Sequence, residues 1–585
     1  MRTENLQTFT SHDGIELNYR HWNATEPSDG PRQAVLLFHR GHEHGGRMAH
    51  LVDELNMPHC EFFAWDARGH GLSKGARGDS PDFATCVRDV QTFVEHIADQ
   101  HGIAQQELAV VAQSVGAVII ATWAHDYAPR VRCMVLASPA FKVKLYVPFA
   151  RPGLKLLHAW RGNFFVNSYV KARLLSHDPE RISSFERDPL ITRSISVKML
   201  LGLYEAAERV VADAQAIQIP TQLLISGADV VVHRKPQEEF YERLSSPLKE
   251  KHLLPGFFHD TLGERDRAHA LARIHRFIRC NFEAPRIQPS LLDADRFGTS
   301  CAEAENLAAP LPEYSLLGLY WRLSRAGLRL GSTLSTGLKL GFDTGFDSGS
   351  TLDYVYRNQP TGKGALGRLI DQTYLNSIGW RGIRQRKLHV EELLRLAMSR
   401  LRAVERTIHI VDIAAGHGRY ILDVLVDNTC KAESILLRDY SDLNVRNGQV
   451  LIERSGQGGI ARFVKGDAFD RDDLAAITPS PTLAVVSGLY ELFGNNAMVS
   501  DSLGGLAAAM EEGGYLVYTG QPWHPQLELI ARTLTSHRDG QPWVMRRRSQ
   551  AEMDQLVEAA GFRKVAQRID QWGIFSVCLA QRIGK

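Results

Sequence analysis

Val110-Val-Ala-Gln-Ser114-Val-Gly116-Ala-Val-Ile sets a serine between an apolar, strand-like run and an apolar helix start, with small residues at Ala112 and Gly116. A sharp turn at such a junction lifts the hydroxyl above a sheet, and small neighbours let the backbone turn without collision. Outward from this point, the short apolar runs Ala34-Val-Leu-Leu-Phe38, Leu108-Ala-Val-Val-Ala112, Met134-Val-Leu-Ala137 and Thr221-Gln-Leu-Leu-Ile225 alternate with longer helix-like stretches up to about Cys280. That alternation is α/β patterning.

A serine hydroxyl is a weak nucleophile until a histidine takes its proton and a carboxylate fixes that histidine's tautomer. Both follow in the chain. Ser226-Gly-Ala-Asp229 ends the run Thr221 to Ile225, and Pro255-Gly-Phe-Phe-His259-Asp follows another short apolar run, giving the order Ser, Asp, His of the α/β-hydrolases. Asp260 neighbours His259 but is badly placed to orient that ring, so Asp229 is the better acid. Leu37-Phe-His39-Arg40-Gly41 occupies the loop after an early strand. There the Arg40 N–H can complete an oxyanion hole with the N–H of Val115.

Residues from about 10 to 280 resemble the serine-hydrolase family that includes monoacylglycerol lipases and lysophospholipases. Further matching pieces are His39-Arg-Gly-His-Glu-His44-Gly-Gly-Arg and Trp65-Asp-Ala-Arg-Gly-His-Gly-Leu-Ser73. The resemblance implies that Ser114, Asp229 and His259 form a catalytic triad cleaving an ester of a lipid-like substrate, of monoacylglycerol or lysophospholipid type. Two positions depart from the family: Ala112 stands where glycine is usual, and Arg40 replaces a glycine at the oxyanion-hole entrance. The resemblance also implies a cap over the nucleophile near residues 141–203. Its aromatics Tyr146, Phe149, Trp160, Phe164, Phe165 and Tyr169 are expected either to shape an acyl pocket or to pack inward as an ordinary helical subdomain. His39, His42 and His44 are not expected to hold a metal, because no carboxylate or cysteine pair completes a ligand set around them.

A second α/β pattern begins at Ile408-His-Ile-Val-Asp412-Ile-Ala-Ala-Gly416-His-Gly418-Arg-Tyr-Ile-Leu, which passes from a β-branched strand through small residues into a helix. Such a loop lets a cofactor approach backbone N–H groups at a helix N-terminus. Ile435-Leu-Leu-Arg-Asp439 ends a second strand in an acid about twenty residues further on, suited to ribose hydroxyls, and Phe463-Val-Lys-Gly-Asp467 adds an acid after a third. This region resembles the class I S-adenosylmethionine methyltransferases, as does Val485-Val-Ser-Gly-Leu-Tyr-Glu491, which matches the segment bordering the methyl-transfer site. The resemblance implies a Rossmann-like fold that holds S-adenosyl-L-methionine through Asp412, Gly416, Gly418, Asp439 on the ribose and Asp467 on the adenine. Thr351-Leu-Asp-Tyr354 and Gly379-Trp-Arg-Gly-Ile-Arg384 precede it as a candidate helical lid.

The 585 residues therefore divide into an α/β-hydrolase domain (1–285), a linker with an amphipathic helical connector (286–350) and a methyltransferase domain (351–585). Hydrophobic residues at 44% and charged residues at 23% exclude a disordered or fibrous chain. A formal net charge of +2 gives no global reason to bind nucleic acid, which leaves small-molecule or lipid partners. Seven cysteines without a CxxC pair, no signal-peptide pattern and no long uncharged apolar run point to a cytoplasmic protein. In the connector, Leu316, Leu319, Tyr320, Leu323, Leu330, Leu334 and Leu338 recur at helical spacing and are expected on one face of a helix, opposite Arg322, Arg325, Arg329 and Lys339. Such a helix either packs on a neighbouring domain or makes peripheral contact with an anionic inner membrane surface.

Overall fold

Fully apolar runs become buried parallel strands, because a sheet covered on both faces has no polar side to show. The computed structural model describes residues 2–28, 30–168, 170–426, 431–538 and 540–584, so Tyr169 and Cys430 lie outside the described residues. The chain divides into two units, Met1–Pro289 and Ser290–Lys585.

The strands of the first unit are β1 (Asn5–Thr10), β2 (Glu16–Trp22), β3 (Gln33–Phe38), β4 (Cys60–Trp65), β5 (Leu108–Gln113), β6 (Cys133–Ala137), β7 (Phe165–Asn167), β8 (Ser194–Ser196), β9 (Thr221–Ser226) and β10 (Lys249–Leu254). Eight of them form one sheet in the order β1-β2-β4-β3-β5-β6-β9-β10, while β7 and β8 pair in the cap. From β4 to β10 neighbours run parallel, and the β1–β2 hairpin closes one edge antiparallel. This is the α/β-hydrolase fold. Strand order reverses at β3, which lies between β4 and β5, so the loops leaving β3 and β5 open beside one another at the place where such sheets bind ligands.

The second unit contains β11 (His409–Asp412), β12 (Ser434–Asp439), β13 (Ala461–Lys465), β14 (Leu483–Val486), β15 (Tyr515–Gly520), β16 (Phe562–Ile569) and β17 (Ser576–Arg582), in the order β13-β12-β11-β14-β15-β17-β16. Five strands are parallel and β17 inserts antiparallel between β15 and β16, a mixed sheet of Rossmann-like methyltransferase type. The long helix Ile378–Ala403 buries Val390, Leu393, Leu394, Ala397 and Leu401 against one face. Val499, Leu503, Leu506 and Leu556 cover the other.

The connector is not one helix, contrary to the expectation from its leucine spacing. It breaks at Thr333, and Ser335 caps a new helix by accepting from the Leu338 N–H at 3.1 Å. Leu338 is thereby turned into the core, whereas Leu316, Tyr320, Leu323 and Leu330 on the first helix, Leu316–Ser332, are exposed. Glycine permits the break to be followed by close packing: a Cβ on Gly341 would stand 2.4 Å from the Phe346 ring. Among the described residues no helix is long and apolar enough to cross a membrane.

Candidate functional site

Ser114 sits between β5 and the helix Val115–Tyr127 with φ 55° and ψ −116°, a conformation that only a tightly constrained turn imposes on a residue with a side chain. Neighbouring backbone holds it, since Ser114 N–H donates to Ala137 O at 2.9 Å and Ser114 O accepts from Ala140 N–H at 3.1 Å. Gly116 explains the small residue after the serine: a Cβ there would meet His39 O at 2.4 Å and Phe38 O at 2.9 Å. The loop after β3 thus lies directly against the elbow, and a Cβ on Gly41 would stand 2.9 Å from the Val115 side chain.

Three expected residues from separate strand ends meet here. His259 Nε2 stands 2.7 Å from Ser114 Oγ, and His259 Nδ1 stands 2.8 Å from Asp229 Oδ2. Asp229 Oδ1 accepts from the N–H groups of Val231 and Val232 at 2.7 and 3.0 Å, which fixes the carboxylate. Burial alone raises the Asp229 carboxyl, but the His259 charge and hydrogen bond and the two N–H groups outweigh it and hold the group below the usual carboxylate range. Asp260 is engaged elsewhere, by Arg181 at 3.0 Å and Gln113 at 3.2 Å.

The Arg40 side chain does not project a loose charge into the oxyanion-hole entrance. It is buried and forked onto Glu43 through two 2.8 Å bonds, with Asp260 at 3.7 Å. His39 is satisfied by Arg40 O at 2.8 Å and the Ala67 N–H at 3.0 Å, whereas His44 meets Asp188 at 2.9 Å through Nε2 alone and its buried Nδ1 has no partner among the described residues. A different trio, His21, Glu61 and His101, brings its ligand atoms within 4.8 Å of one another. Sequence reading missed it because His21 and Glu61 come together only through the pairing of β2 with β4. Arg32 already occupies Glu61 Oε1.

Above Ser114, Val115, Arg40 and His259 lies a cavity of about 450 Å³, walled by Leu145, Leu154, Val166, Ile195, Leu203 and Tyr204. Of the cap aromatics expected either to shape this pocket or to pack inward, none of Tyr146, Phe149, Trp160, Phe164 and Phe165 lines it; its walls are mostly aliphatic, with Phe185 and Tyr204 as the aromatic members. Phe149 and Trp160 are 86% and 83% exposed, because the cap helix Ala150–Arg161 turns only its Leu154 toward the cavity and buries no residue fully.

In the second unit the glycine loop leaves β11 with Gly416 at φ 59° and Gly418 at φ 73°. Gly416 N–H donates to Asp439 Oδ2 at 3.0 Å, and Asp439 Oδ1 accepts from Ser441 N–H at 2.9 Å and Asn444 Nδ2 at 3.1 Å. Burial raises the Asp439 carboxyl against those bonds. Asp412 lies beneath the loop with no exposed surface, accepting from Tyr420 OH at 2.6 Å and Ala414 N–H at 3.3 Å, so it braces the loop from below. Gly418 is required by packing, since a Cβ would strike Leu437 at 2.4 Å. Asp467 is exposed at the end of β13 and accepts from Phe469 N–H at 2.9 Å. Arg384, a candidate lid residue, instead donates to Leu375 O at 2.8 Å. Glu491 follows β14 and takes bonds from Arg386 at 2.7 Å and Thr519 at 3.1 Å.

A family model described as "Putative methyltransferase" matches residues 274–582, more than half of the chain, and one described as "Serine aminopeptidase, S33" matches residues 29–266. The "Uncharacterized protein YnbC" of Escherichia coli (strain K12) is 57% identical over 574 residues, 98% of each chain. The "Monoglyceride lipase" of Mus musculus is 29% identical over 265 residues, covering 44% of this chain and 84% of its own. Among solved structures, a soluble variant of monoglyceride lipase from Saccharomyces cerevisiae in complex with a substrate analog superposes with a TM-score of 0.44 at 18% identity, covering 48% of this chain and 97% of that one.

Proposed function

The chain belongs to the putative methyltransferase family and carries an α/β-hydrolase as its first unit, and from that premise we propose a bifunctional enzyme. Its first unit is a serine hydrolase that cleaves an ester of a lipid-like, monoacyl substrate. Its second is an S-adenosylmethionine-dependent methyltransferase.

The observation that carries the first half is the continuous relay from Ser114 through His259 to Asp229 on the floor of an apolar cavity. His259 Nε2 takes the Ser114 proton as Oγ bonds to the ester carbonyl carbon, and Asp229 keeps the other proton on Nδ1 and stabilises the imidazolium. The Arg40 and Val115 N–H groups receive the oxyanion. His259 then returns the proton to the departing alcohol, leaving an acyl-serine that water hydrolyses by the same relay. The aliphatic walls and the monoglyceride-lipase relatives support a monoacyl substrate.

For the second unit, the residues present fit S-adenosyl-L-methionine. Among the described residues and apart from its chain neighbours, only Gly349 Cα lies within 4 Å of the point where a Gly416 Cβ would stand, so a ligand can approach the loop backbone there. Asp439 has three bonds on a carboxylate with about four acceptor sites, which leaves one for a ribose hydroxyl. Gly416, Gly418 and Asp439 would hold the cofactor from the loop side and Asp467 from the adenine side, with Asp412 supporting the loop. When bound, the cofactor supplies an electrophilic methyl group. Arg386 and Thr519 hold Glu491 beside that region.

The same reading puts the protein in the cytoplasm with peripheral contact at the inner membrane surface. What supports the contact is the exposed leucine row on Leu316–Ser332, together with the cations Arg322, Arg325 and Arg329 that the same helix carries.

A crossed experiment on the full chain tests both halves. A fluorophosphonate is expected to label wild-type protein and Asp439→Ala at Ser114, and not to label Ser114→Ala. His259→Ala is expected to lower ester turnover by roughly 10³-fold or more. Calorimetry is expected to give S-adenosylmethionine binding in Ser114→Ala and loss of it in Asp439→Ala. Folded protein that resists the label, or that binds NAD in place of S-adenosylmethionine, overturns the corresponding half.

A further inference from the structure

The second unit encloses a cavity of about 470 Å³ that the glycine loop does not line. Its walls are mostly aliphatic and aromatic, among them Leu338, Ile370, Leu529, Ile530, Leu534 and Phe575. A crevice of about 30 Å³ lies beside the loop itself, and Leu352 lines both spaces. In volume the larger cavity falls within the range of pockets that hold a small organic ligand.

Among the described residues, the buried unpaired polar atoms in its wall are N–H donors apart from the Tyr374 hydroxyl, which can donate as well as accept. Arg386 is buried with Nη1 on Glu491, and its Nε has no hydrogen-bond partner among the described residues. The buried Gln521 Nε2 and Trp543 Nε1 likewise have none. His524 is neutral, since burial brings its pKa down to about 4, and its Nδ1 accepts from Gln526 N–H at 3.0 Å, which puts the proton on Nε2. All four residues line the cavity. The carboxylates there are already engaged: Glu491 by Arg386 and Thr519, and Asp347 by Ser536 at 2.6 Å and the His537 N–H at 2.6 Å.

A buried donor without an acceptor is destabilising, so a wholly apolar occupant leaves these groups unsatisfied. An ammonium would meet donors with donors, and a nucleoside would put many polar edges against leucine and isoleucine. The remaining class has an apolar body and an acceptor-only head. We propose that this cavity binds an amphiphilic carboxylate of the fatty-acid class, with its chain among the aliphatic residues and its carboxylate toward Arg386, Gln521, His524 and Trp543. Ester hydrolysis of the kind proposed for Ser114 releases acids of this class, but binding here does not depend on that activity or on methyl transfer.

The first unit also has an apolar cavity, so the test must report position. The full Ser114→Ala chain is irradiated with a fatty acid bearing a terminal diazirine, and the modified peptides are mapped. Label is expected in peptides containing Leu338, Ile370, Ile530 and Leu534, displaced by dodecanoate and not by dodecylammonium. Gln521→Leu with Trp543→Phe is expected to weaken displacement by dodecanoate by roughly tenfold while leaving the melting temperature near that of the parent. Label confined to peptides of residues 1–289 overturns the assignment. Equal displacement by the ammonium amphiphile in the parent chain also overturns it, and this measurement needs no cavity variant to fold. Loss of S-adenosylmethionine binding with label retained would count against the methyltransferase reading alone.

Discussion

Asp412 has no exposed surface, and desolvation carries its pKa from 3.8 up to about 7 despite the bonds from Tyr420 and Ala414. The native state therefore keeps a proton that the unfolded chain has already released over that interval. The stability contributed by this group is full below about pH 4 and is lost as pH rises to about 7. Asp412→Asn keeps an acceptor for Tyr420 and does not titrate. The stability of wild type relative to this variant is expected to fall with pH in that window, by at most about 1.4 kcal/mol per pH unit. Chemical denaturation of the full chain, followed by hydrogen exchange in β11 and β12, checks it. A difference that stays flat from pH 4 to pH 7 would show that folding does not raise the Asp412 pKa. At this scale the sequence was most legible where a residue's task is tied to a strand end. Ser114, Asp229 and His259 each follow an apolar run, and the structure brings all three together. Asp412 was legible as an acid at a strand end but not as a buried brace, because burial depends on what Tyr420 covers.

Leucine spacing marked the connector as amphipathic but not where it stops. The break at Thr333 comes from competition between continued helix and a serine cap: Ser335 bonds both the Leu338 N–H and Asp371, which no periodicity reveals. The remaining helix, Leu316–Ser332, leaves Leu316 at 87% and Leu330 at 73% exposure and carries Arg322, Arg325 and Arg329. An apolar row flanked by cations binds an anionic surface through both effects, and its charge component is screened by salt. The intact protein is expected to co-sediment with vesicles containing phosphatidylglycerol and not with pure phosphatidylcholine. Replacing Arg322, Arg325 and Arg329 by Glu is expected to release it. Retained sedimentation of the triple variant would remove the membrane reading of this helix.

Each unit has its own sheet and its own buried core, the first around Val35, Leu37, Ala109 and Val135 and the second around Ile410, Leu437, Val485 and Val517. Calorimetric melting is expected to show two transitions, with S-adenosylmethionine raising only the one that belongs to residues 290–585. A single transition that shifts as a whole would mean that the units unfold cooperatively. Alternating apolar runs were enough to read both α/β patterns, whereas the two large cavities were not readable, because the residues around each come from segments far apart in the chain. Ser114 carries one more consequence. Its φ of 55° is a conformation glycine adopts freely and serine adopts at a cost of about 1–3 kcal/mol. A lineage that needed this unit only as a folded body would gain stability by drifting to glycine at 114. The residue found there in any descendant is thus a molecular record of whether the hydroxyl is still in use.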